Sequence, residues 1–365
     1  MSICIDIIAG ARPNFMKIAP IIHAIQKRTN HGGQLRFRLI HTGQHYDQKM
    51  SGDFFSQLKI PEPDINLGVG SGTQAEQTAG IMIGYEKAIQ QSRSRMCLVV
   101  GDVTSTMACA VTARKMGLPV SHVEAGIRSG DWTMPEEINR VVTDSVTNEF
   151  FTTSKFANEN LMRFGVSQEN IHFVGNTMID TLLANMNALR PPACWKENSL
   201  ETGKYLVLTL HRPSNVDVAE RLSLLLNEIG KHAVGYTVIF PVHPRTSKVI
   251  ENIRPLPTSL ILIDPQPYLE FNYLVKNSKA VLTDSGGITE ETTVMGIPCM
   301  TLRDSTERPE TVDVGTNEML GTDPKAIGPA LAKCFSNQWK KGSIPEMWDG
   351  KAGERIVDVL EKLLS

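Results

Sequence analysis

The chain has 365 residues, more than one hydrophobic core comfortably serves and about right for two domains. Apolar residues make up 41% and charged residues 21%, as in an ordinary soluble globular protein and unlike a disordered chain. Lys and Arg number 37 against 39 Asp and Glu, a net charge of −2, so no overall field draws nucleic acid or an anionic membrane, and an anionic ligand must be met by a local cluster.

Residues 3–8 form a short β-branched run and predict a first strand, and 18–25 carry helical spacing. Further strands are predicted over 37–41, 96–100, 120–123 and 150–153, and helices over 76–90, 105–116 and 136–147. Short apolar strands separated by helices point to a parallel, doubly wound sheet. Residues 190–203 hold a Pro-Pro pair, Trp195 and polar residues without periodicity, and read as a connection. The pattern then restarts, with strands over 205–210, 237–242, 260–263, 280–283 and 299–302 and a helix over 220–230. The final segment, 353–364, is amphipathic, with Ile356, Val359, Leu360, Leu363 and Leu364 on one face. The expected fold is α/β: two Rossmann-like doubly wound domains facing across a cleft.

Six cysteines, at 4, 97, 109, 194, 299 and 334, form no CxxC pair and have no metal-ligand spacing. Cys4 and Cys97 fall in predicted buried strands, where cysteine acts as a small hydrophobe. Reduced thiols and a cytoplasmic protein are expected. The opening MSICIDIIAGARPN has no basic n-region and no long apolar core, so it does not read as a signal peptide. No apolar run approaches the roughly 20 residues that span a bilayer.

Chemistry is expected at the carboxyl ends of the strands, where loops line the ligand crevice of an open α/β sheet. Three acidic residues fall there. Asp102 follows the strand at 96–100 within GDVTST, Glu124 follows the strand at 120–123 within HVEAGIRSGD, and Glu136 opens a helix after Pro135 within PEEINR. Carboxylates gathered in a crevice are costly to desolvate unless they bind or move protons. Structural duties compete: Asp102 could cap the helix starting near Ser105, and Glu136 with Glu137 could answer a helix dipole, whereas Glu124 has no such duty. The first βα turn, GARPNFMK, offers Gly10 and a helix N-terminus with Arg12 and Lys17 as cations for a phosphate; equally, it is a turn with two surface cations.

In the second half, TDSGGITEE follows the strand at 280–283 and starts a helix. Ser285, Gly286 and Gly287 can bring bare backbone donors against a pyrophosphate, and Glu291, one turn in, can accept from ribose hydroxyls. The competing reading is a capping Ser with dipole-compensating glutamates. His211 and Arg212 end the strand at 205–210, the counterpart of the Gly10 turn, and His243 ends the strand at 237–242. Arg303 and Arg308, in LRDSTERPE, fit either loop ion pairs or phosphate contact, and His45, in TGQHYD, either a turn or a crevice.

With these residues laid out, the chain resembles the non-hydrolysing UDP-N-acetylglucosamine 2-epimerases over nearly its whole length. GARPNFMKIAPI, TGQHYD, GDVTST, HVEAGIRSGD, PEEINR, VGNTMID, LHRPSNV, PVHPR, TDSGGITEE and LRDSTERPE occur in order. The resemblance implies the GT-B architecture. An N-terminal Rossmann-like domain, 1–176, is joined by the C-terminal helix 353–365, and a C-terminal UDP-binding domain spans 177–352. It implies Asp102, Glu124 and Glu136 as the acid–base set and His211 beside the departing pyrophosphate. Arg12, Lys17 and Arg308 would approach the phosphates, Ser285, Gly286 and Gly287 would cradle them, and Glu291 would hold ribose. The implied reaction interconverts UDP-GlcNAc and UDP-ManNAc, or a related UDP-2-acetamido sugar, through elimination of UDP to a 2-acetamidoglucal and re-addition. It implies no metal and no cofactor, a homodimer, and a place in cell-surface polysaccharide biosynthesis. Alternatives are a hydrolysing 2-epimerase releasing ManNAc and UDP, a GT-B glycosyltransferase, and a non-catalytic nucleotide-sugar sensor.

The chain departs from the family pattern twice. Many relatives read QHR in a segment that helps bind a second, activating UDP-GlcNAc, whereas this chain has Gln44-His45-Tyr46-Asp47, which leaves activation by substrate open. Many read GHRRE where this chain has Leu210-His211-Arg212-Pro213-Ser214, which leaves open a substrate altered at C3 or C6.

Overall fold

A computed structural model describes residues 3–43, 55 and 57–365. The chain divides into two compact units, one comprising residues 1–184 with 346–365 and the other 185–345. Among the described residues, no helix is long and apolar enough to cross a membrane.

The first unit holds a parallel sheet of β1 (Ile3–Ala9), β2 (Leu35–His41), β3 (Ile65–Asn66), β4 (Cys97–Val100), β5 (Val120–Val123), β6 (Glu149–Thr152) and β7 (Ile171–Phe173), in the order 3-2-1-4-5-6-7. Every strand is short, and side chains leave it on alternating faces. In β1, Ile5, Ile7 and Ala9 enter one core with Ile18, Ile21, Ile22 and Ile25 of the helix Arg12–Asn30. Ile8 enters the other with Ile81 and Tyr85 of the helix Gln74–Gln91 and Cys109 of the helix Thr104–Lys115. Helices therefore cover both faces, which is why the strands read as near-continuous apolar runs. The exception is Asp6, which is fully buried. Arg38 meets it with two donors at 2.9 Å each, and Tyr85 Oη donates at 2.9 Å, so the buried charge is paired and hydrogen-bonded.

The second unit repeats the plan with β8 (Tyr205–Thr209), β9 (Thr237–Pro241), β10 (Leu260–Ile263), β11 (Ala280–Thr283), β12 (Cys299–Thr301) and β13 (Asn317–Met319), in the order 10-9-8-11-12-13. Leu206 and Leu208 pack on Leu222, Leu225, Leu226 and Ile229 of the helix Ala219–His232. Tyr205 and Val207 pack on the opposite face with Leu274, Val275 and Cys194. In both sheets the chain builds outward one way from its first strand, then crosses to the other side. The reversal falls between β1 and β4 in the first sheet and between β8 and β11 in the second. Loops from such neighbours diverge and leave a crevice at their carboxyl ends.

The boundaries differ from those expected at 176 and 353. The first unit continues to Ala184 and resumes at Glu346. The helix Thr177–Asn185 belongs to it because Thr181 Oγ1 donates to the Met16 carbonyl at 2.6 Å, and Asp180 Oδ2 accepts from the Gly353 amide at 2.7 Å. Burial pushes the Asp180 carboxyl up to about 6, with the Gly353 and Ala352 amides opposing. The returning chain buries Trp348, whose Nε1 donates to the Thr153 carbonyl at 3.0 Å. The C-terminal helix, Ala352–Leu364, then lays Ile356, Val357, Leu360 and Leu364 into the first core. Gly353 lets it approach closely, since a Cβ there would lie 2.7 Å from the Pro20 carbonyl. Within 190–203, read as a connection, residues Ala193–Glu197 form a short helix that buries Cys194. The described cysteines are all free, and all but Cys4 are buried.

Candidate active site

The crevice of the first unit is built by three chain segments. Gly10 ends β1, and no other residue fits, because a Cβ there would fall 2.0 Å from Ser105 Oγ. Asn14, in the first turn of the following helix, accepts from the Gly10 and Ala11 amides at 3.0 Å each, and its Nδ2 donates to the Val100 carbonyl at 3.2 Å. That ties the end of β1 to the end of β4. Arg12 is the first residue of this helix. Lys17, one turn further on, sends its Nζ to within 2.7 Å of Glu124 Oε2. Their side chains are 10% and 2% exposed, so the sequence's phosphate cation is buried in an ion pair.

Glu124 leaves β5 with φ +68°, a left-handed conformation that side chains other than Gly adopt at a cost of order 1–3 kcal/mol. A strained backbone at a buried carboxylate is an observation from which a function can be argued. Gly101 leaves β4 in the same left-handed region, φ +66°, and a Cβ there would lie 2.8 Å from Lys17 Nζ. Asp102 follows. It does not cap the next helix, whose N-cap is Val103 with no side-chain cap bond. Instead Asp102 Oδ2 accepts from Arg140 Nε and Nη2 at 3.0 and 2.6 Å, and its carbonyl accepts from Asn139 at 2.8 Å. The Asp102 side chain is 27% exposed, which leaves the carboxylate accessible.

Arg140 Nη1 turns to Glu137 Oε2 at 2.7 Å. Burial opposes ionisation of Glu137, but the Ser129 amide, Arg140, the Gly130 amide and Ser129 Oγ together hold its carboxyl below the usual range. Of the two glutamates in PEEINR, Glu137 is thus the buried anchor and Glu136 is half-buried beside it on the helix Pro135–Val146. Beneath them His122 is fully buried between Asp144, 2.7 Å from Nδ1, and the Gly101 carbonyl, 2.8 Å from Nε2. Asp144 also takes Arg128 at 2.7 Å and the Gly126 amide at 3.1 Å. Asp102 and Glu124 therefore lie just past adjacent strands, each held by its own cation; Glu136 stands half-buried on the helix that supplies Arg140.

In the second unit the crevice lies at β8 and β11. Asp284 ends β11 fully buried. Burial would raise its pKa, but bonds from His211, the Arg212 amide and Asn215 outweigh this and hold the carboxyl below the usual range. His211 Nδ1 is 2.9 Å from Asp284 Oδ1, which fixes the ring and leaves its other nitrogen outward, the side chain being 39% exposed. The His243 ring lies 6.1 Å away and is exposed.

The helix Gly286–Met295 starts immediately afterwards. Ser285 is its N-cap without a side-chain cap bond, so the capping role does not account for this Ser. A Cβ at Gly286 would lie 2.8 Å from Glu307 Oε1, so that carboxylate, held by Arg303 at 2.8 Å, would have to shift. Arg308 is ion-paired with Glu290 of this helix. Glu291 is buried, and burial pushes its carboxyl up to about 7 against the Tyr268 hydroxyl and the Asn272 amide, whose Nδ2 donates at 3.3 Å. Among the described residues, no three His, Cys, Asp or Glu side chains gather as metal ligands. His45 and the stretch 44–47, expected to bear on a second ligand, lie outside the described residues.

Arg140, His122, Asp144 and Asp284 were not singled out by sequence, and Glu137 only as an answer to a helix dipole. Two signals were available. Arg140 lies three and four residues after Glu137 and Glu136, on the same helix face. Asp284 comes one residue after β11, much as Asp102 comes two residues after β4.

Most of the chain matches a known family. Residues 27–361 fit the family described as UDP-N-acetylglucosamine 2-epimerase. The chain belongs to the UDP-N-acetylglucosamine 2-epimerase family. It is 39% identical over 368 residues to the UDP-N-acetylglucosamine 2-epimerase of Methanocaldococcus jannaschii, covering 98% of each chain. It is 36% identical over 364 residues to the UDP-2,3-diacetamido-2,3-dideoxy-D-glucuronate 2-epimerase of Pseudomonas aeruginosa, covering 98% of this chain and 99% of that one. The crystal structure of the M. jannaschii UDP-GlcNAc 2-epimerase in complex with UDP-GlcNAc and UDP superposes with a TM-score of 0.87 at 38% identity, covering 99% of this chain and all of that one. Members of the UDP-N-acetylglucosamine 2-epimerase family are isomerases, and the likeness extends through both α/β units.

Proposed function

We propose that this chain is a non-hydrolysing 2-epimerase that inverts C2 of a UDP-2-acetamido sugar, UDP-GlcNAc to UDP-ManNAc or a close relative. The observation that carries the reading is the placement of Asp102 and Glu124 just beyond the ends of the adjacent strands β4 and β5, Asp102 paired with Arg140 and Glu124 with Lys17. The C2 hydrogen of such a sugar has no neighbouring carbonyl to make it acidic. Elimination solves this: a carboxylate takes the C2 proton, the C–H electrons form the C1–C2 double bond, and the C1–O bond breaks with its electrons leaving on UDP. Re-addition of UDP to C1, with a proton delivered to the opposite face of C2, completes inversion. Two faces call for more than one carboxylate, and Asp102, Glu124 and Glu136 supply them.

The second unit supplies the nucleotide end. The helix start at Ser285, Gly286 and Gly287 offers amides and a dipole for the diphosphate, with Arg308 as a further positive group and Glu291 for ribose. His211, oriented by Asp284, presents its outer nitrogen to the departing oxygen. The P. aeruginosa relative acts, by its name, on a 2,3-diacetamido glucuronate, so the class of UDP-2-acetamido sugars fits better than one named sugar.

The test incubates the protein in deuterated water, without acceptor, with UDP-GlcNAc and separately with UDP-2,3-diacetamido-2,3-dideoxy-D-glucuronate. Deuterium at C2 of the recovered UDP-sugar is the expected result for at least one of them. Free sugar with UDP would mean hydrolysis, turnover only with added acceptor would mean transfer, and tight binding without exchange would mean a sensor.

A further inference from the structure

The first crevice holds a fully buried imidazole that the proposed chemistry does not use. His122 lies in the middle of β5 with no exposure, and both its ring nitrogens face oxygen. A carbonyl oxygen can only accept, so Nε2 donates to Gly101. Asp144 also accepts from the Gly126 amide at 3.1 Å and pairs with Arg128 at 2.7 Å, the surroundings of an ionised carboxylate, which can only accept, so Nδ1 donates as well. A ring that donates from both nitrogens is an imidazolium. Charge agrees: with His122 positive, Lys17, His122, Arg128 and Arg140 balance Asp102, Glu124, Glu137 and Asp144.

The consequence is mechanical. The Gly101 amide donates to the Val123 carbonyl at 3.0 Å, and its carbonyl accepts from His122, so Gly101 is clamped to β5 from both sides. Asp144, through the Gly126 amide, holds the turn that carries Glu124. Gly101 and Glu124 are also the two left-handed residues at which β4 and β5 turn out. We propose that His122, as an imidazolium between Asp144 and the Gly101 carbonyl, is a positioning residue that fixes the separation of Asp102 and Glu124 for proton transfer at C2.

This inference rests on the proposed function, but one of its tests does not. Nitrogen-15 NMR of the full-length protein labelled at histidine should show both His122 ring nitrogens carrying protons at neutral pH, assigned by loss of the signals in His122→Gln. A single protonated nitrogen would overturn the inference, whatever the enzyme does. The functional arm uses folded His122→Gln, checked by near-ultraviolet circular dichroism. Exchange of the C2 proton should fall about 10²-fold in kcat, the scale of a misplaced reacting group, with KM and UDP affinity within about twofold of the parent. An unchanged kcat, or a loss carried mainly by KM, would overturn it. Should His122→Gln not fold, the signals are assigned by through-bond correlation to the backbone and the NMR arm decides alone. Failure of the parent protein to exchange any UDP-2-acetamido sugar would sink the proposed function, and the NMR arm would still judge the clamp.

Discussion

Lys17 Nζ and Glu124 Oε2 lie 2.7 Å apart, brought together from 107 residues' separation and almost fully shielded from water. A pair this buried contributes through the penalty of breaking it more than through its own attraction. Removing one partner strands the other charge. We expect Lys17→Met or Glu124→Gln alone to cost about 3–5 kcal/mol of unfolding free energy, and the double variant to recover much of that. Urea unfolding of the four proteins as a double-mutant cycle measures the coupling. Additive single effects would show that the pair is not formed in solution.

Asp102→Asn should leave the fold intact, because Arg140 keeps Glu137 at 2.7 Å and the Asp102 side chain is partly exposed. Turnover should fall by about 10²- to 10⁴-fold, the range for loss of a general acid or base. Rates of deuterium entry at C2 check this, and a near-normal rate would remove Asp102 from the mechanism.

Gly286→Ala separates binding from folding. The new Cβ would sit 2.8 Å from Glu307 Oε1 and push the tip of that side chain aside, while Arg303 holds its other oxygen. Ala is otherwise the better helix former by about 1 kcal/mol. UDP affinity by calorimetry should drop at least about tenfold while the melting temperature changes by no more than about 2 °C. Retained affinity would move the diphosphate away from this helix start.

Glu291 makes stability depend on pH in a stated direction. Its folded-state pKa, about 7, lies above the ordinary value of 4.5 because of burial. The folded state therefore holds the proton more tightly than the unfolded chain. The stabilisation this gives is full below the unfolded value and is lost as pH rises through the folded one. Without UDP, unfolding free energy should fall between about pH 4.5 and about pH 7 by an amount on the order of 3 kcal/mol. Glu291→Gln should remove its share of that slope, leaving the contribution of Asp180, whose carboxyl is raised to about 6 and acts over the lower part of the range. Chemical denaturation across this range tests it, and an unchanged slope in Glu291→Gln would show that another group is responsible.

Much of the fold was legible because strands and helices here obey simple periodicities. The strand at 120–123 and the helices at 136–147 and 105–116 were placed within a residue of the structure. The short strands β3, β7 and β13 were not, since two or three residues carry no period to read. The unit boundary shifted from 176 to 184 because Thr181 and Asp180 find partners 165 and 173 residues away, and no local pattern announces such contacts. The site shows the same divide. Asp102 and Glu124 were visible as carboxylates just past strands. Lys17 was visible as a cation, while its partner became apparent only in three dimensions. His122 was passed over because it occupies a strand interior, where alternation predicts packing and says nothing of what a polar ring will meet.

The C-terminal helix has one last implication, for the order of events during synthesis. Its Ile356, Val357, Leu360 and Leu364 complete the core that β1 and the helix Arg12–Asn30 begin. A ribosome releases the whole second unit before those residues emerge. The first core must wait, with a hydrophobic seam uncovered, until residues 352–364 have been made. A nascent chain stalled before residue 352 should therefore attract chaperones at that seam, even though its second unit is already fully made.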